Sequence, residues 1–65
     1  MNWFAEQRQS WIIEMLTIYG YINREHLERK FRISTPQASS DLRMCCKLNS
    51  NVIYNTSNKR YELSS

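Results

Sequence analysis

A chain of 65 residues builds one small core, worth about 3 to 5 kcal/mol of net stability, and is too short to enclose a large active site. An apolar fraction of 42% that includes eight aromatic residues argues against disorder, and the two cysteines, adjacent at Cys45 and Cys46, give neither a disulfide framework nor a zinc-ligand spacing. The net charge of +3 is unevenly placed: from Arg29 to Arg60 seven basic residues face one acid, Asp41, while the remainder sums to −3, an asymmetry that points to a polyanionic partner.

In chain order, Ala5, Ile12, Leu16 and Tyr19 fall on one face of a 3.6-residue period and predict a first helix that Gly20 closes in a left-handed conformation. Phe4, Trp11 and Ile18 form a second apolar stripe at seven-residue spacing, with Met15 beside it. This stripe is either covered by the wing or amino-terminal segment or forms a homodimer seam. The longest apolar run near the amino end, Trp11 to Ile13, is too short for a signal peptide or a membrane span, so a cytoplasmic protein is expected.

Tyr21 and Ile22 read as a short extended stretch able to pair with a later hairpin, and Asn23 as the cap of a helix over Arg24 to Phe31. Leu27 and Phe31 face inward. His26, the only histidine, has no partner at ligand spacing and reads as a partly exposed structural residue.

After Arg32 and Ile33, two overlapping start signals occur. Ser34 with Gln37 makes a capping box, and Thr35 with Pro36 places proline at the first helical position. The third helix runs to about Leu48, with Ala38, Leu42 and Cys45 toward the core, Pro36, Gln37, Ser40, Arg43, Met44 and Lys47 opposite, and Ser39 and Cys46 at the boundary. Two helices joined by three residues, with Ile33 as an apolar plug, have the geometry of a helix-turn-helix. Small Ser39 and Ser40 allow close approach to a duplex, and glutamine and arginine can make paired hydrogen bonds to adenine and guanine. The free amides from Ser34 to Gln37 suit a phosphate.

Asn49 to Asn51 form a turn, and Val52 to Tyr54 and Arg60 to Leu63 read as two strands around a tip at Asn55 to Asn58. Alternation turns Val52, Tyr54, Tyr61 and Leu63 to the core and Ile53, Arg60 and Glu62 outward. Ser64 and Ser65 are expected to fray. The fold class is therefore mainly α with a small β-hairpin, a winged helix-turn-helix of three helices and a two- or three-stranded wing, and residues 1–65 make a single domain. Adjacent cysteines bridge poorly within a helix, so Cys45 and Cys46 read as packing residues.

The run Tyr21 to Asp41 (YINREHLERKFRISTPQASSD), with Leu42 and the segment Val52 to Tyr61 (VIYNTSNKRY), resembles the amino-terminal winged-helix domain of WYL-domain transcriptional repressors of bacterial anti-phage defence operons. Its most specific part is Ile33 to Ser39. The resemblance implies operator binding as a homodimer, with Thr35, Gln37, Ser39, Ser40 and Arg43 at the groove and Lys59 and Arg60 on the wing. Where such proteins typically have glycine in the turn, this chain has Arg32, at a cost of about 1 kcal/mol if the backbone is left-handed there and with the gain of a cation for phosphate. No counterpart of the WYL domain occurs, so ligand-responsive control is not carried over; Met1 and the finish at Leu63 favour a naturally small regulator, from a phage or mobile element, over an excised domain.

The expected function is sequence-specific binding of double-stranded DNA by a repressor. The helix from Thr35 to Lys47 lies in the major groove and the wing from Asn55 to Arg60 on the backbone or in the minor groove. The DNA-binding set is Arg32, Ser34, Thr35, Gln37, Ser39, Ser40, Arg43, Lys47, Lys59 and Arg60. Phe4, Trp11, Met15 and Ile18 form the dimer seam, which asks for an inverted-repeat operator. The alternative is a small winged-helix protein of a phage or mobile element that inhibits a host protein complex. No nucleophile with a base, paired carboxylates or glycine-rich phosphate loop nominates an enzyme, and neither a metal nor a cofactor is implied.

Overall fold

The computed structural model describes residues 2–64. Three helices, α1 (Trp3–Tyr19), α2 (Arg24–Phe31) and α3 (Thr35–Leu48), pack beside a three-stranded antiparallel sheet of β1 (Tyr21–Ile22), β2 (Val52–Asn55) and β3 (Arg60–Leu63) in the order β1-β3-β2. This is a winged helix.

Local chemistry sets the ends of each helix. Asn2 Oδ1 accepts from the Ala5 amide at 2.8 Å, and Gly20, at φ +85°, returns its N–H to Leu16 O at 2.9 Å. Asn23 Oδ1 accepts from the His26 amide at 3.2 Å while His26 Nδ1 accepts from the Asn23 amide at 3.3 Å, so the histidine completes a reciprocal cap. Arg32 ends α2 in the left-handed region (φ 53°, ψ 48°), the conformation in which its lack of glycine is felt. Ile33 is half-buried against the core. Ser34 Oγ then accepts from the Gln37 amide at 3.3 Å, with Pro36 at the second helical residue. The start signals thus resolve in favour of Ser34, with Thr35 inside the helix. The return arm of the capping box is missing because the Gln37 side chain turns forward to Asp41.

The core consists of Ile12, Leu16, Ile22, Leu27, Ala38, Leu42, Cys45 and Val52. Burying a Leu- or Ile-sized side chain is worth about 1.5 to 3 kcal/mol before chain entropy is set against it. β1 is the third strand of the wing, with Tyr21 opposite Glu62 and Ile22 opposite Tyr61. The hairpin pairs Val52 with Leu63, Ile53 with Glu62, Tyr54 with Tyr61 and Asn55 with Arg60. Ser64, one residue beyond β3, donates its N–H to Asn51 O at 2.6 Å. Met1 and Ser65, including the frayed end expected at Ser65, lie outside the described residues.

Three expectations about packing need correction, and one residue is newly placed. Tyr19, at 66% exposed, is not a core residue, because the last turn of α1 extends beyond the cover of its neighbours. Tyr54 and Leu63 keep to the inner side of the sheet but are exposed, since the wing outgrows the core below it and only Val52 is sealed. The α1 stripe is covered at its middle by α2, not by the wing or the amino-terminal segment: Trp11 meets Phe31 edge-on at 5.5 Å, and Lys30 Nζ lies 6.0 Å from the indole centroid. Lastly, Asp41 is buried on α3, at 5% exposed, between the core row and the outer face.

Candidate nucleic-acid interface

The outer face of α3 carries the side chains that its period assigned there. Pro36, Gln37, Ser40, Arg43, Met44 and Lys47 are exposed, while Ser39 and Cys46 are half-buried at the edges. The only acid of this helix is Asp41, and it is buried and paired. Arg8 of α1 donates through Nε to Asp41 Oδ2 at 2.6 Å and through Nη2 to Oδ1 at 3.3 Å, in a forked pair with side chains 16% and 7% exposed. Gln9 Nε2 donates to the Asp41 backbone carbonyl at 2.8 Å, so α1 grips α3 at two adjacent points. Gln37 Nε2 donates to Asp41 Oδ1 at 3.0 Å.

At the start of α3, Arg32, Ser34 and Thr35 are exposed, as are the ends of the preceding turn. The Thr35 hydroxyl donates to Glu28 Oε1 at 2.9 Å, which ties the beginning of α3 to α2. Ser34 spends its hydroxyl oxygen on the Gln37 amide. The amide that remains free at this end, that of Thr35, carries the partial positive charge of a helix terminus.

Beside α3 a cleft of about 400 Å³ opens between the start of α2, the middle of α3 and the wing, lined by Arg24, Ser39, Arg43, Tyr54, Lys59 and Tyr61 among others. Lys59 sits at the wing tip at φ 54°, after a turn in which Asn55 Oδ1 accepts from the Asn58 amide at 3.0 Å. Tyr54 and Tyr61 meet at 4.9 Å. Burial pushes the Tyr61 hydroxyl pKa up, with contributions from Cys46 and Tyr54, while Arg43 and Arg24 oppose the rise. Arg24, Arg43 and Lys59 thus reach the cleft from three separate segments, with Glu25 the one acid in its lining.

Arg24 was not foreseen, because in the sequence it stands among the glutamates of the first half. The cap at Asn23 was the available signal: it puts Arg24 in the first turn of α2, facing the wing. Arg60, conversely, is not in this cleft. Strand alternation puts it on the far side of the sheet from Tyr61, where its Nε meets Glu62 Oε2 at 2.6 Å and its guanidinium lies 4.3 Å from the Tyr21 ring centroid. Glu62, also held by Asn55 Nδ2 at 3.1 Å, has its carboxyl pKa lowered, chiefly by the Arg60 hydrogen bond and then by Asn55.

The residues read as a dimer seam divide into two kinds. Phe4 and Ile18 are 67% and 60% exposed, whereas Trp11 and Met15 pack against the core and are half-buried. Cys45 and Cys46 are free thiols, and burial raises both of their pKa values. Among the described residues, no helix is long and apolar enough to cross a membrane. A family model described as the BrxR transcriptional regulator winged helix-turn-helix domain matches residues 5–65. A comparison with curated proteins gave no match.

Proposed function

We propose, from the premise that the chain belongs to the BrxR transcriptional regulator winged helix-turn-helix family, that this DNA-binding domain is a sequence-specific repressor acting as a homodimer. In this reading α3 enters the major groove from Thr35 to Lys47, and the wing from Asn55 to Arg60 lies along the backbone or in the adjacent minor groove. One observation carries the proposal: the outward face of α3 holds Gln37, Ser40, Arg43 and Lys47 exposed, while the single acid of the helix is buried and paired with Arg8. Arg32 and the Thr35 amide, the one left free in the first turn of α3, serve phosphates on one side and Lys59 on the other, while Gln37 and Arg43 read base edges. Ser39 and Ser40 keep the helix close. Ser34 and Thr35 fix where the helix begins, and Arg60, engaged with Glu62 and Tyr21, is a weaker backbone contact than Lys59.

A single unit of this kind covers about 600 to 1,000 Å² and reads few base pairs, so useful specificity calls for two units on an inverted repeat. Phe4 and Ile18 are the exposed ends of the candidate seam, with Trp11 and Met15 between them. Because Trp11 also packs on Phe31, the informative substitutions are Phe4→Glu and Ile18→Glu, which leave the core untouched. Sedimentation should then show a folded monomer where the unaltered chain is a dimer; an unchanged sedimentation coefficient removes the seam.

Base reading is tested by competition among duplexes. Gln37→Ala or Arg43→Ala should each cost about 1 to 3 kcal/mol at particular base pairs, and Lys47→Ala or Lys59→Ala should weaken all duplexes alike. If both base-reading variants keep the full preference, α3 is not the reading element, and the protein-inhibitor role becomes the better account.

A further inference from the structure

Gln37 and Asp41 are one helical turn apart, a spacing at which a glutamine amide and a carboxylate meet on the helix surface. What distinguishes this pair is the bracing behind it. Asp41 is 5% exposed, its carboxylate is held by the fork of Arg8, and its backbone carbonyl accepts from Gln9. The acceptor offered to Gln37 is therefore fixed to α1 as well as to α3. Oδ1, 3.0 Å from Gln37 Nε2, is the oxygen that also receives Arg8 Nη2.

A carboxylate only accepts hydrogen bonds, so the NH2 end of the Gln37 amide has to face Asp41 and its carbonyl oxygen, which would repel the carboxylate, has to turn away. Gln37 has two amide hydrogens and the contact with Asp41 needs one. With the hydrogen trans to the carbonyl given to Asp41, the one cis to it lies in the same plane as Oε1, and the two together make an acceptor-donor edge. Adenine shows the complementary donor and acceptor in the major groove, at N6 and N7. A free glutamine samples both amide orientations and many rotamers and loses that freedom on binding.

We propose that Asp41 is a positioning residue for base reading: braced by Arg8 and Gln9, it presets the Gln37 amide so that this side chain reads adenine. The inference rests on α3 being the groove-reading helix. It also assigns Arg8, distant in sequence, an indirect part in specificity, and it explains why an acid is compatible with this helix at all. Its charge is cancelled from behind, while its acceptor atom orders the reader in front.

The test is selection from randomised duplexes by the full chain, comparing the unaltered protein with Asp41→Asn and with the double variant Arg8→Met/Asp41→Leu. Asparagine offers Gln37 either an oxygen or an amino group and so loses the direction of the contact. The double variant removes both charges together and leaves none buried alone, which keeps a folded protein in the comparison. Each is repeated in a Gln37→Ala background. The expected result is an adenine preference about five- to tenfold weaker at one operator position, with the other positions unchanged and no additional loss once Gln37 is alanine. A purely structural role for Asp41 lowers affinity evenly across positions, and that result overturns the proposal while leaving the groove reading intact. If Gln37→Ala itself changes no position, Gln37 is not a reader, and the proposal falls together with that part of the functional reading.

Discussion

Arg32→Gly should move stability and DNA affinity in opposite directions. Arg32 holds a left-handed backbone at φ 53° and is exposed. A side chain with a Cβ pays about 1 to 2 kcal/mol in that region, and glycine removes the strain. Glycine also enlarges the entropy of the unfolded chain, which offsets about 0.4 to 1 kcal/mol of the gain. The net is a stabilisation of about 0 to 1.6 kcal/mol, centred near ~0.8 kcal/mol, which raises Tm by about 3 to 6 °C in a domain of this size. The same change deletes a cation from the turn just before α3, so the slope of log affinity against log salt should shrink by about 0.9. Thermal melts followed by circular dichroism and duplex titrations by fluorescence anisotropy measure the two effects separately. Arg32→Ala is the control: it keeps the strain and loses the cation, so its slope should shrink while Tm stays nearly constant. A lower Tm for the glycine variant, or an unchanged slope for both, refutes the reasoning.

Removing Arg8 alone leaves the Asp41 carboxylate buried without its partner, which costs about 3 to 5 kcal/mol and matches the whole stability available to so small a core. Chemical denaturation should therefore find Arg8→Ala largely unfolded and Arg8→Met/Asp41→Leu folded. Gln9 Oε1 is buried without a hydrogen-bond partner, and the Asp41 carbonyl that Gln9 meets is already bonded within α3, so Gln9→Leu should be neutral or stabilising in the same assay. The Glu62 pKa is lowered in the fold, which means its stabilisation is present above the ordinary glutamate range and is lost as pH falls through the lowered folded value. An NMR titration should find Glu62 ionising below the ordinary glutamate range, and Arg60→Ala should raise its pKa, with the Asn55 hydrogen bond still holding part of the shift.

The helix ends and the two-sided character of α3 were legible because they depend on short-range chemistry. Asn23, Gly20 and Ser34 act on amides and carbonyls within four residues, and Ala38, Leu42 and Cys45 declare the core face of α3 by period alone. The positions that escaped depend on contacts far apart in sequence. Arg8 and Asp41 pair across 33 residues, and no local pattern links an arginine in the acid-rich half to the only acid of the basic half. Trp11 resembled a free stripe residue because its cover, Phe31, arrives from α2. Lys59 and Arg60 are neighbours in the chain, yet a strand sends successive side chains to opposite faces, and only Lys59 joins Arg24 and Arg43 in the cleft. Charge counting singled out one half of the chain, whereas the allocation of each cation to a face needed the sheet.

The central claim, that α3 and its flanking cations form a duplex-reading surface, is tested most directly by the affinity of the unaltered chain for a selected duplex measured across salt concentrations. With about four to six phosphate contacts per unit, the account predicts a log-log slope of about −4 to −5 and a clear preference for the selected sequence at every salt concentration. A slope near zero, or equal affinity for selected and scrambled duplexes, contradicts it.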